Sequence, residues 1–147
     1  MIDTKIIINK NEALREIRRL TSYSGAKTPG DEGAYERKSA TKSDDEMLEM
    51  WLREALSKLE DILKPFTTNT TFDDNITIEL CMSSSWDETL SEGIGRTAFS
   101  YVVNYVADKW LEMTGSKESY MDEALRLLTD LNSKIYYRKK PVRVMPT

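Results

Sequence analysis

The chain has 147 residues, 31% of them charged, a net charge of −4 and a mean hydropathy of −0.54. That length favours one domain with a real core, and the longest apolar runs are too short for a transmembrane helix. Cys81 is the only cysteine and there is no histidine, which excludes an intrachain disulfide, a thiolate metal cluster and histidine-based nucleophile pairs. The first residues, Met1-Ile2-Asp3-Thr4-Lys5-Ile6-Ile7-Ile8-Asn9, lack a signal peptide's charged start, long apolar region and cleavage site, which points to synthesis and residence in a cytosol. No cofactor is expected, and the balance points away from an enzyme.

Residues 2–8 alternate loosely, so a short strand or extended lead-in is expected over about 4–8. Asn9 or Asn11 can cap a first helix over roughly 10–23, with Ala13, Leu14, Ile17 and Leu20 on one face and Lys10, Arg15, Arg18 and Arg19 on the other. Gly25 suits its end. A loop of about twenty residues follows over 24–43, long enough to be functional or disordered, with room for a helical turn near 34–37. Its Gly25-Ala26-Lys27-Thr28-Pro29-Gly30 lacks both the order and the preceding strand of a phosphate loop.

Ser43 or Asp44 caps a second helix. Asp44, Asp45 and Glu46 lie in its first turn, where the helix dipole favours acids, and this explains them better than a metal patch with Glu49. Met47, Leu48, Trp51, Leu52, Ala55, Leu56, Leu59, Ile62 and Leu63 keep a 3.6-residue period until Pro65 closes the helix. Residues 67–75 read as polar and turn-rich. Residues 76–82 form the clearest strand, with Ile76, Ile78 and Leu80 on one face and Thr77, Glu79 and Cys81 on the other. A lone strand leaves unpaired edges, so it must pair with the N-terminal strand or with another subunit. Ile76, Ile78 and Leu80 are therefore candidates for that pairing or for the core. Cys81 reads as a small packing residue.

Asp87 or Ser85 as N-cap, with Trp86 as a hydrophobic staple, opens a third helix over about 87–114. Gly93 and Gly95 near its start suggest a kink or a close helix crossing. Its Tyr101, Tyr105 and Trp110 read as core, because a stacking platform for single-stranded nucleic acid needs interleaved basic residues. Gly115 ends the helix and Ser116 caps a fourth over about 117–137. The short link makes 87–137 a helical hairpin. The expected fold is mainly α, four-helix bundle-like, with a minor β element.

The helical pattern stops at an aromatic, basic tail. Residues 138–147 hold Arg138, Lys139, Lys140 and Arg143 and no acid, so residues 1–137 carry −8. A single domain over 1–137 with an extended basic tail at 138–147 follows. Four charges on one end are a weak footprint for nucleic acid beside so acidic a body. Pro141 and Pro146 favour an extended segment with little entropy to lose on docking. The tail reads as an arm for protein, with Tyr136, Tyr137, Arg138, Lys139, Lys140 and Arg143 as the docking residues.

Three stretches together resemble a known group: the strand leading into Ser84-Ser85-Trp86-Asp87-Glu88, the helix through Val102-Val103-Asn104-Tyr105-Val106-Ala107-Asp108-Lys109-Trp110, and the close in Lys134-Ile135-Tyr136-Tyr137-Arg138-Lys139-Lys140-Pro141. The pattern over roughly 44–143 resembles head–tail connector proteins of tailed phages and prophages, also called adaptor or head-completion proteins. The resemblance implies a ring, often of twelve copies, beneath the portal protein at the virion's head–tail junction, assembled in the host cytoplasm. It implies the portal and the next connector or tail component as partners, DNA only as transient cargo in the channel, no membrane and no catalytic residues. An extended terminal segment would grip the portal or a neighbouring copy. The alternatives are a tail-terminator or other neck component, and a small helical regulator that binds a host protein through the 24–43 loop. Were the chain an enzyme, the carboxylates Asp87, Glu88 and Glu92 would be its candidates.

Overall fold

The computed structural model describes residues 1–26, 44–115 and 120–139. In chain order these form β1 (Ile2–Asn9), α1 (Lys10–Ala26), α2 (Asp45–Leu63), β2 (Thr67–Phe72), β3 (Asn75–Met82), a 3-10 turn (Glu88–Leu90), α3 (Ser91–Met113) and α4 (Met121–Ile135). The protein is mainly helical with a minor antiparallel sheet of strand order β1-β3-β2. The 24–43 loop from 27 onward, with its expected turn near 34–37, and the cap at Ser116 lie outside the described residues.

The expected strand at 76–82 is β3, and it occupies the centre of the sheet. β1 pairs along its whole length, from Ile2 opposite Met82 to Asn9 opposite Asn75. On its other side lies β2, a strand where the polar composition of 67–75 pointed only to turns. Threonine is β-branched and favours strands. An edge strand exposed on much of its surface needs no apolar alternation, so the usual signal is missing. A register shift between Thr67 and Asn69 bulges this edge, and Thr68 Oγ1 donates to Glu79 O at 3.3 Å.

Alternation in β1 and β3 divides the sheet into two faces. Ile6, Ile8, Ile76, Ile78, Leu80 and Met82 are buried against the helices. Asp3, Lys5 and Glu79 are exposed on the far face, where Cys81 Sγ lies 3.5 Å from Met1 Sδ. One core cluster joins these strand residues to Leu14 and Ile17 of α1, Leu52 and Leu59 of α2, Val102 and Val106 of α3, and Leu127 and Leu131 of α4. Each fully buried Leu or Ile contributes about 1.5–3 kcal/mol.

Asn9 is the cap of α1: its Oδ1 accepts the Glu12 amide at 2.9 Å. α1 continues past Gly25 to Ala26. Its Lys10 and Arg18 reach the acids of α2, with Arg18 2.6 Å from Asp45 and Lys10 3.4 Å from Glu49. The acidic first turn of α2 thus complements the helix dipole and is tied to α1 by ion pairs.

α3 starts at Ser91, four residues later than its apolar pattern suggests, because Asp87 caps a separate 3-10 turn: its Oδ1 accepts from Thr89 N at 3.1 Å. A close helix crossing does not explain Gly93 and Gly95; a methyl group built at either meets nothing within 4 Å. Gly115, with φ of +77°, turns the chain out of α3 in a conformation that favours glycine. α3 and α4 pack antiparallel. The end of α3 meets the start of α4 where Asp108 accepts the Tyr120 amide, and the start of α3 meets the end of α4 where Lys134 Nζ donates to Thr97 Oγ1 at 2.8 Å. This is the expected hairpin, with α4 confined to Met121–Ile135.

Candidate docking site

The expected docking residues divide into two groups. Ile76, Ile78 and Leu80 are at most 2% exposed, and β3 is paired on both edges. Their place is the core of this chain, and pairing of β3 with another subunit is closed off. Of the two partners expected for this strand, the N-terminal strand is the one that pairs with it, and β2, which the sequence did not reveal, takes the other edge.

The other group lies where α4 ends. Ile135 is buried, and the chain leaves the helix through Tyr136 and Tyr137, whose amides turn back to Lys134 O. It then runs antiparallel to the 85–87 segment. Tyr137 O accepts the Asp87 amide at 3.3 Å, Ser85 O accepts the Lys139 amide at 2.8 Å, and Arg138 lies opposite Trp86 in a single bridge. Trp86 is the latch. Its side chain is fully buried, and its indole N–H donates to Lys134 O at 2.9 Å. The neighbouring serines shape the turn that presents it, with Ser83 Oγ 3.0 Å from Ser85 Oγ and the Trp86 amide donating to Ser83 O at 3.0 Å.

The tail therefore begins paired to the body rather than extending freely from residue 138. The Tyr136 ring meets Phe66 edge-on at 5.4 Å, yet Tyr136 and Tyr137 remain 47% and 49% exposed. Arg138 and Lys139 are exposed as well. Lys139 Nζ lies 3.4 Å from Glu88 Oε1, with both side chains half-exposed, so that pair contributes little. Lys140 and Arg143 lie outside the described residues.

The carboxylates near this segment have structural roles. Asp87 accepts from the Thr89 hydroxyl at 2.6 Å and from the Thr89 amide. Those two bonds, with the Lys139 charge nearby, hold its carboxyl below the usual range. Asp45 and Glu49 are ion-paired, and no group of three metal-ligating side chains occurs among the described residues. No helix among them is long and apolar enough to cross a membrane.

Tyr101, Tyr105 and Trp110 are buried, as core packing requires. Trp51 meets Trp110 edge-on at 6.4 Å. The Tyr105 hydroxyl donates to Glu54 Oε1 at 2.5 Å. Burial, and then that carboxylate, push the Tyr105 phenol far above its ordinary value of 10.0. A folded-state value above the unfolded one means stability is intact below pH 10 and falls as the pH rises beyond it. Tyr105→Phe should therefore flatten the loss of stability above pH 10, measured by urea denaturation at successive pH values; an unchanged slope would show that Tyr105 does not govern it.

Two contributors had weak signals in the sequence. The latch role of Trp86 could be glimpsed only as a large aromatic set among serines between a strand and a helix. Asp108 was visible as an acid inside an apolar run. No family model, curated protein or solved structure matches the chain.

Proposed function

We propose that this chain is a structural assembly protein, a head–tail connector of a tailed phage or prophage with a bundle-like helical body. On this reading it binds the portal and neighbouring copies of itself in a ring, meets the next connector or tail component on the far side, and extends the channel through which DNA passes as cargo. It performs no catalysis and acts at the head–tail junction of the virion. The observation that carries the reading is the anchored C-terminal segment. Its root is paired to 85–87 and latched by Trp86, while Tyr136, Tyr137, Arg138 and Lys139 stay exposed. A segment held at its root presents its contact residues with less ordering cost than a free end. The resemblance over 44–143 supplies the identity of the partner.

The test is binding to the cognate portal, by co-sedimentation or surface plasmon resonance. A folded chain that does not bind portal would sink the connector reading, and binding to the tail tube protein instead would favour the tail terminator. Alanine at Arg138, Lys139, Lys140 and Arg143 together is expected to weaken portal or ring assembly about tenfold or more, with thermal stability nearly unchanged because the two described positions are exposed. Assembly unaffected by that change would remove the tail from the interface.

A further inference from the structure

The two edges of the sheet are built differently. β2 is a blunted edge: its register with β3 shifts between Thr67 and Asn69, and Thr68 turns its hydroxyl back onto Glu79 O. β1 is not blunted. Its eight residues keep one unbroken register with β3 from Ile2 to Asn9, with no bulge and no proline. An edge of that kind is a template for another strand.

The outer side of β1 is open. Lys10 N donates to Asp74 O at 3.0 Å, one step beyond the Asn9–Asn75 pair. Alternate residues of an antiparallel strand bond the same neighbour, so the even-numbered residues of β1 bond β3. Asp3, Lys5 and Ile7 turn their N–H and C=O groups outward, where no group bonds them among the described residues. An open groove of about 580 Å³ runs beside this edge, between Lys5 and Ile7 of β1 and Gly95 and Phe99 of α3. A methyl group built on Gly95 meets nothing within 4 Å, so the α3 wall is low there. On the far face of the sheet Met1 and Ile7 are 90% and 49% exposed, and Asp3 and Lys5, also exposed, lie between them.

We propose that β1 pairs antiparallel with β1 of a second copy across a two-fold axis, joining the two sheets into one. The side chains choose both the occupant and the register. With Thr4 opposite Thr4 of the other copy, Asp3 faces Lys5 and Met1 faces Ile7, and the symmetry makes each pair twice. The backbone bonds then fall on Asp3, Lys5 and Ile7, the residues whose groups point outward. Lys5 lies opposite Glu79 in its own sheet without an ion pair to it, so on pairing it sits between two acids. A slip of two residues one way sets Lys5 against Lys5, and the other way Asp3 against Asp3; like charges directly opposite are destabilising. A slip of one residue sets outward groups against groups already bonded to β3. The strand is complementary to itself, as an isologous contact requires. Such a contact closes at two copies, so it goes beyond the portal and ring contacts of the connector reading and does not rest on them.

Exchanging charges in the full chain tests the pairing. Asp3→Lys alone and Lys5→Asp alone each set like charges opposite one another at both pairs. In sedimentation equilibrium each should dimerise about tenfold or more weakly than the wild type, and circular dichroism should show both folded, since both side chains are exposed. In a mixture of the two variants every lysine of one copy faces an aspartate of the other, so a one-to-one heterodimer should form with about wild-type affinity. Hydrogen exchange locates the contact: the amides of Asp3, Lys5 and Ile7 should gain protection as the wild type dimerises. A wild type that stays monomeric at millimolar concentration overturns the proposal. So does a mixture that associates no better than its components, or a dimer in which those three amides stay unprotected.

Discussion

Replacing Trp86 with alanine should destabilise the protein by about 3–5 kcal/mol, the range for removing a large aromatic from a packed interior. Trp86 is 0% exposed and lies where the end of β3, the start of the 3-10 turn and the end of α4 converge. Its removal leaves a void under three elements and deletes the indole bond to Lys134 O. Trp86→Phe separates the two effects. Phenylalanine fills most of the volume, and Lys134 O keeps the Tyr137 amide as a donor, so no buried acceptor is orphaned. That variant should lose only about 1–2 kcal/mol. Urea denaturation gives the totals, and hydrogen exchange at the Asp87 and Lys139 amides reads the bridge locally. Both amides should lose protection in Trp86→Ala before the amides of β3 do. A loss under about 1 kcal/mol for alanine would mean that Trp86 neither packs this junction nor latches the segment. The functional consequence lies on the same link. Without the latch, residues 136–139 are no longer held at their root, and portal binding should weaken through lost preorganisation even where the fold survives.

Elements that were clear in the sequence are those whose burial follows a period. Leu48, Leu52, Ala55, Leu56, Leu59 and Leu63 place α2 in the core by spacing alone, and Ile76, Ile78 and Leu80 do the same for β3. The first cap was legible as Asn9 or Asn11, since an asparagine beside a periodic run favours that use, and Asn9 is the one that caps. β2 was not legible: Thr-Thr-Asn-Thr-Thr-Phe carries strand propensity without a pattern, and only the vacant edge of β3 gives it a partner. That one omission had a consequence for the candidate site, since an unpaired β3 invites a second subunit and a paired one does not. The docking residues at 136–139 were visible as a change of composition. Their pairing with 85–87 was not, because a single bridge between segments some fifty residues apart leaves no periodic trace. Of the two caps expected for the long helix, Asp87 and Ser85, Asp87 does cap, but it caps the 3-10 turn before that helix, since a 3-10 turn and the first turn of an α-helix use the same cap chemistry.

The loss of Asp108 should be the second largest effect, and its origin is electrostatic. Asp108 is buried near the end of α3, and its Oδ1 accepts the amides of Tyr120 at 2.9 Å and Met121 at 3.1 Å. The first amides of a helix have no partner within it, and α4 makes no side-chain cap from its own Tyr120. A neighbouring helix therefore supplies the cap, with a carboxylate favoured by the positive end of the α4 dipole. Asp108→Ala removes the cap, costing about 1–2 kcal/mol, and leaves two half-buried donors to find water, for a total of about 2–4 kcal/mol. Asp108→Asn keeps an acceptor oxygen without the charge and should cost about 1 kcal/mol, since bonds to charged acceptors are the stronger ones. The two variants together discriminate between capping and packing. Asparagine has nearly the shape of aspartate, so a purely steric role predicts no loss for it, whereas capping predicts an intermediate one. Hydrogen exchange should place the damage in the first turn of α4, at Tyr120, Met121 and Ala124, with β1 and β3 still protected. The Ala124 amide bonds Tyr120 O at 2.9 Å, which closes that first turn and makes it the reporter for the rest of the hairpin. Because α4 also carries the root of the docking segment at its other end, fraying that starts at Met121 and stops before Leu131 should leave portal binding intact. Fraying that reaches Ile135 should weaken binding in step with stability.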